Sequence, residues 1–249
     1  MKRPYFSLWT LLATALLIMV FFASFGKLKM CGKQISTIEI STKKNDITHN
    51  VKVADNSVIA IDTLPKRILF VGDSMLEGLS PRFASYAASN GHKLYTVVWY
   101  GSTTLKWGET HRLAQYKKQF EAEYIVVCLG GNELFIKNVE KERGPMIDEI
   151  LQDIGDTPYV WIGPPNWKED TGINTLIESK VGEGHFFLSK NLELARAKDG
   201  AHPTRAAAIG WMDIVAEWIS TKSACRIRLE KPVERTAKAD KLVVLTPDD

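Results

Sequence analysis

Ser74, Asn132 and the pair Asp199 and His202 are the residues of this chain whose types could carry out chemistry together. They sit in three short islands: Gly72-Asp73-Ser74, Gly130-Gly131-Asn132 and Asp199-Gly200-Ala201-His202. A serine hydroxyl, an imidazole with a carboxylate three residues before it, and an Asn amide set in glycines are the parts of acyl transfer: nucleophile, oriented base and oxyanion donor. On a tight turn, Asp199 can reach the Nδ1–H of His202, fixing the tautomer and leaving Nε2 to take a serine proton. Each island alone also has a plain reading, as a strand-to-helix turn, a capping loop or a pair of turn glycines. Ser74 does not sit in a Gly-x-Ser-x-Gly elbow, because Leu76 stands where the second glycine would be.

The islands matter because of the elements before them. Ile68 to Val71 is a continuous apolar run, the pattern of a strand buried on both faces. Leu94 to Trp99, Tyr124 to Leu129 and Tyr159 to Ile162 give three more strands, and His185 to Leu188 a weaker fifth. Ser80-Pro81 reads as an N-cap followed by proline at the first helical position, with the helix stopping at Asn90-Gly91. Further helices are predicted over Glu109 to Ala122, Pro145 to Ile154, Asn174 to Lys180 and Arg205 to Ser220, the last with Ala208, Trp211, Met212, Val215 and Trp218 near one stripe. Strands alternating with helices predict a parallel sheet covered on both faces by right-handed crossovers. Ser74 and Asn132 then leave the carboxyl edge of that sheet, where open α/β sheets bind ligands, and Gly101 adds a backbone N–H at the same edge.

The totals narrow the function classes. A chain of 249 residues with 45% hydrophobic and 24% charged residues has room for one substantial domain plus appendages. A net charge of +3 without a basic stripe argues against nucleic acid. Cys31, Cys128 and Cys225 form no CxxC and the five histidines show no HExxH spacing, so neither a metal nor another cofactor is expected. Cys128 reads as a small buried side chain, and Cys31 and Cys225 could pair only if exported.

Tyr5 to Gly26 carries no charge and is long enough to cross a hydrocarbon core, with Lys2 and Arg3 before it. A cleaved signal peptide is the rival, but the apolar stretch is long and its exit, Phe25-Gly26-Lys27, is a poor cleavage site. Either reading puts the remainder outside the cytoplasm, and an uncleaved single-pass anchor in the cell membrane is favoured. The expected domains are an anchor over 1–26, a linker over 27–65, the α/β domain over 66–222 and a charged tail over 223–249. In that tail Arg226 to Leu229 and Leu242 to Leu245 read either as edge strands or as loosely held chain.

Taken together and in order, the blocks resemble those of the SGNH (GDSL-type) hydrolase family. Ser74 matches the nucleophile block, Gly101 the glycine block, Asn132 the Gly-x-Asn block, and Asp199 with His202 the Asp-x-x-His block. The resemblance implies a flavodoxin-like three-layer sandwich with a five-stranded parallel sheet of order 2-1-3-4-5. It also implies Ser74 as nucleophile, His202 as base and Asp199 as its orienter, with the oxyanion held by the Ser74 and Gly101 backbone amides and the Asn132 side chain. Met75 replaces the usual Leu after the serine, a near-isovolume swap. Glu133 stands where many members have Asp and could reach the substrate. Trp99 and Trp167 near strand exits, the latter in the rim segment Pro164-Pro165-Asn166-Trp167, could stack on sugar rings, although for any one tryptophan core or loop packing is the commoner explanation. Asp73 is expected to order the nucleophile turn.

The expected function is a serine esterase removing O-acyl, foremost O-acetyl, groups from an extracytoplasmic carbohydrate. The resemblance also implies a rival, because membrane-anchored members of that family are associated with surface-polysaccharide acetylation, often beside a membrane-bound O-acyltransferase. That rival is an O-acetyltransferase using the same acyl-serine. A non-catalytic glycan-binding or assembly subunit is a third reading, and it would need none of Ser74, His202, Asp199 or Asn132.

Overall fold

The computed structural model describes residues 60–249 in full and only the backbone of Lys29–Met30 and Lys33–Gln34. The chain divides into two compact units, Met1–Asn56 and Ser57–Asp249. In the first, Lys29–Met30 pairs antiparallel with Lys33–Gln34. The expected anchor over Tyr5 to Gly26 and the expected cysteine partner Cys31 lie outside the described residues. Among the described residues no helix is long and apolar enough to cross a membrane.

The second unit is an α/β layered domain. Its strands are β1 (Arg67–Gly72), β2 (Lys93–Trp99), β3 (Tyr124–Cys128), β4 (Tyr159–Ile162), β5 (Phe186–Phe187) and β6 (Lys241–Leu245). Its helices are α1 (Leu76–Ser89), α2 (Thr104–Thr110), α3 (Arg112–Gln119), α4 (Val139–Ile154), α5 (Ile173–Val181) and α6 (Arg205–Thr221). The sheet runs β5-β4-β3-β1-β2-β6, every neighbour parallel. The order 2-1-3-4-5 of the first five strands is as expected, but the sheet has a sixth strand, β6, added beside β2.

The apolar run in β1 explains the layering. Side chains alternate across a strand, so Ile68 and Phe70 enter one core while Leu69 and Val71 enter the other. The first core is closed by α1 (Leu76, Leu79, Phe83) and α6 (Trp211, Met212, Val215). The second is closed by Trp107 of α2, Leu113 of α3, Ile147 and Ile150 of α4, and Ile177 of α5. Each fully buried side chain of this kind contributes roughly 1.5–3 kcal/mol.

Two prolines read as helix starts lie inside helices instead. Pro81 sits in the interior of α1 and Pro145 in the interior of α4. The α1 segment begins earlier because Asp73 accepts the Met75 N–H on Oδ1 at 2.9 Å and the Leu76 N–H on its backbone oxygen at 3.2 Å. Ser80 is therefore no cap; it is buried and its hydroxyl pairs with that of Thr96 in β2 at 2.8 Å. The single helix expected over Glu109 to Ala122 is two, broken at His111, whose φ is +51°. Thr103 caps α2, accepting the Lys106 N–H. Gly108 lets α2 press onto α4, since a Cβ there would lie 2.8 Å from the Met146 carbonyl oxygen.

The segment beyond Ser223 belongs to this domain and is not a separate tail. Ile227 and Leu229 are buried. Arg82 donates to Glu234 O at 2.7 Å, and Ala237 N–H to Pro81 O at 2.8 Å, so the chain runs over α1. It then enters the sheet as β6, pairing Tyr95 with Lys241 through Trp99 with Leu245.

Candidate active site

β1, β2 and β3 end level, because Gly72 registers with both Val98 and Cys128. Ser74, Gly101 and Asn132 leave these ends within a few residues of each other. Gly72 is needed at the exit: a Cβ there would fall 2.1 Å from the Cys128 carbonyl oxygen. Asp73 turns inward and is 2% exposed. Burial pushes its carboxyl up to about 7, Glu133 adding in the same direction against the Met75 N–H and His202. It orders the turn and leaves Ser74 at the surface of the fold.

His202 and Asp199 come from the loop before α6. Asp199 Oδ1 accepts the Ala201 and His202 backbone N–H groups at 2.8 and 3.0 Å, and Oδ2 lies 2.9 Å from His202 Nδ1. These bonds, that from the His202 backbone foremost, hold the Asp199 carboxyl down to about 2. An ionised Asp199 can only accept, so Nδ1 carries the proton and Nε2 is the acceptor. His202 Nε2 lies 2.7 Å from Ser74 Oγ. The structure thus brings the hydroxyl, imidazole and carboxylate together in one line.

A residue unmarked by any motif holds that loop. Arg196 donates through Nη1 to Ala201 O at 2.8 Å and through Nη2 to Pro165 O and Asn166 O at 2.6 and 3.1 Å. It clamps the histidine turn to the rim segment. One guanidinium spanning three carbonyls is a tertiary fact that no local spacing signals.

On the other side, Gly130 (φ +118°) and Gly101 (φ +66°) take the left-handed backbone that favours glycine. Asn132 Nδ2 donates to Ser102 O at 2.9 Å, tying the third strand's turn to the second's. Ser102 is fully buried and also accepts the Trp107 indole N–H on Oγ at 3.0 Å. The Asp73 and Ser102 backbone N–H groups are spent on Cys128 O and Trp99 O. Those of Ser74 and Gly101, and the second Asn132 amide proton, have no acceptor among the described residues.

Three expected substrate contacts are placed differently. Trp99 is 1% exposed, donates to Thr246 O at 2.8 Å and packs edge-on to Trp107, so it is core. Glu133 is fully buried and cannot meet a substrate. Its Oε1 accepts the Thr104 hydroxyl at 2.6 Å and lies 2.8 Å from Arg143 Nε as an ion pair off the hydrogen-bond direction. Burial nonetheless raises its pKa, against the Thr104 bonds and Arg143. Trp167 is half-buried, its indole N–H given to Gly131 O at 2.9 Å and Lys168 Nζ lying 4.8 Å over its ring. It props the glycine turn.

A cavity of about 350 Å³ opens beside Ser74 and His202, walled by Met75, Gly78 and Pro81 of the α1 region and by Thr236 of the C-terminal segment. Among the described residues no cluster of three or more His, Cys, Asp or Glu could hold a metal ion. Among the described residues Cys128 is buried, Cys225 is half-buried, and the two form no disulfide with each other. Such an arrangement can raise the nucleophilicity of Ser74, accept its proton and stabilise a tetrahedral oxyanion.

No protein-family model matches this chain, and no curated protein matches it. Solved structures similar to it include TesA, at 19% identity and a TM-score of 0.45, covering 61% of this chain and 97% of that one. A second is EstA, a psychrotrophic esterase from Pseudoalteromonas sp. in a structure inhibited by monoethylphosphonate, at 17% identity and 0.43, covering 61% and 96%.

Proposed function

We propose that this chain is a serine hydrolase of ester bonds that removes O-acyl, foremost O-acetyl, groups from an extracytoplasmic carbohydrate. The observation that carries this reading is the line from Ser74 Oγ to His202 Nε2 at 2.7 Å and from His202 Nδ1 to Asp199 at 2.9 Å. Ser74 Oγ attacks the ester carbonyl carbon while its proton passes to His202 Nε2. The Ser74 and Gly101 N–H groups and the Asn132 amide receive the oxyanion. As the tetrahedral species collapses, the leaving alcohol takes the proton from His202 and an acyl-serine remains. Water, deprotonated by the same imidazole, then releases the acid.

A second reading shares every step to the acyl-serine, with a sugar hydroxyl replacing water. The uncharged stretch Tyr5 to Gly26 favours it, because a domain tethered at a membrane meets a growing surface polysaccharide at high local concentration. In that reading a membrane-bound O-acyltransferase is the partner that supplies acetyl groups, and the chain is single-pass with its α/β domain outside the cytoplasm.

The test is to incubate the full chain and Ser74→Ala with p-nitrophenyl acetate and candidate oligosaccharides, following free acetate and acetylated sugar by mass spectrometry. Ser74-dependent acetate release is expected. Acetyl-sugar formed in place of acetate would replace hydrolysis with transfer. Equal rates in both proteins would overturn the catalytic reading.

A further inference from the structure

The cavity at Ser74 continues along α6. A second cavity, of about 390 Å³, shares Arg205, Ile209 and Thr236 with the first and is completed by Ala206 and Arg235. Its apolar lining comes from Ile209 and Ala206, and no acidic side chain lines it. Glu77 lines the Ser74 cavity, where its carboxylate accepts the Tyr100 hydroxyl at 3.0 Å.

What distinguishes this groove is that its two arginines are unspent. Elsewhere among the described residues arginine is built into the fold. Arg67 donates to Glu121 O, Arg82 pairs with Asp213, Arg112 holds Asp249 O, and Arg143 pairs with Glu133. Arg196, Arg226 and Arg228 hold backbone carbonyls. Arg205 and Arg235 are exposed and neither guanidinium has a hydrogen bond or ion pair among the described residues. Arg205 also opens α6, where the helix dipole favours negative charge.

We propose that Arg205 and Arg235 form an anion subsite beside the nucleophile, so that the preferred substrate is an acylated glycan carrying a carboxylate or phosphate close to its ester. A guanidinium is a planar fork that meets either group with two parallel hydrogen bonds. The apolar lining suits the face of the sugar ring between the anion and the acyl group. The proposal rests on the esterase or transferase reading of Ser74 given above.

The experiment compares kcat/KM of the full chain for an O-acetylated galacturonate oligomer, O-acetylated glucose 6-phosphate and a neutral O-acetylated xylo-oligomer at low salt. Wild type is expected to favour at least one anionic substrate over the neutral one by about tenfold. In Arg205→Gln/Arg235→Gln that ratio should fall close to one, and in Arg205→Glu/Arg235→Glu below one. The ratio is taken within one preparation, so a partly unfolded variant does not distort it. A preference for the uronate alone, or the phosphate alone, assigns the anion. Equal kcat/KM for all three in wild type, or a ratio unchanged in the double variants, would overturn the subsite. Loss of the whole Ser74 reading is seen separately, as p-nitrophenyl acetate turnover unchanged in Ser74→Ala.

Discussion

Glu133 holds Thr104 by both carboxylate oxygens, taking its hydroxyl at 2.6 Å and its backbone N–H at 3.1 Å in a fully buried position. Thr104 follows Gly101 by three residues and Glu133 follows Asn132 by one. This bond therefore fixes the spacing of two proposed oxyanion donors that come from different strands. The residue expected at the substrate is instead a buried link between the two turns.

Glu133→Gln keeps an acceptor for Thr104 but loses the charge facing Arg143. It should lower kcat by roughly ten- to a hundredfold with a small change in KM, the signature of a misplaced transition-state contact. Glu133→Ala leaves Arg143, 12% exposed in its side chain, without its counter-charge and should cost about 3 kcal/mol or more in denaturant unfolding. An unchanged kcat in the glutamine variant would remove Glu133 from site positioning.

His202→Ala should abolish acyl transfer, and Asp199→Asn should leave a residue of activity about ten-thousandfold below wild type, measured as acetate release. The Asp199 carboxyl is held down to about 2, so it stays ionised across the working range and its own titration sets no limb of the pH–rate profile. A wild-type acid limb that vanishes when Asp199 alone is neutralised would contradict this. Full activity in His202→Ala would remove the base from the mechanism.

Asp73 makes stability depend on pH in the opposite direction from a paired surface acid. Its carboxyl is raised from 3.8 to about 7, so the folded state holds a proton that the unfolded chain releases. The stability contributed by Asp73 is then full below about pH 4, falls as pH rises toward 7, and is gone above. The size is at most about 4 kcal/mol. Asp73→Asn keeps an acceptor for the Met75 N–H and removes this contribution, so the midpoint of urea unfolding should decline less between pH 4 and 7 than in wild type. Parallel declines would overturn the assignment.

A chain ended at residue 222, the boundary that composition suggests, should not fold. It strips β6 from β2, leaves Trp99 without the Thr246 carbonyl and uncovers the surfaces packed by Ile227 and Leu229. It also removes Thr236 and Arg235 from the site. Circular dichroism and a cooperative thermal transition provide the check, and a native-like transition would show that the segment is dispensable.

The sequence by itself determined the first five strands and the placement of three chemical islands after strands or in the loop before α6. Those signals are local: a continuous apolar run, a glycine at a turn, an Asp three residues before a His. Helix starts were less legible. Ser80-Pro81 and Pro145 look like beginnings, yet each helix begins upstream, α1 directly after the turn that Asp73 ties at Met75. Tertiary structure decided which polar and aromatic residues face the reacting groups. Glu133 carries no local mark of burial, since its partners Thr104 and Arg143 come from α2 and α4. It also decided that Arg196 clamps the histidine loop and that a charged segment becomes the sixth strand. A strand's partners and a guanidinium's acceptors are chosen by the packed whole, whereas a turn is chosen by its own residues.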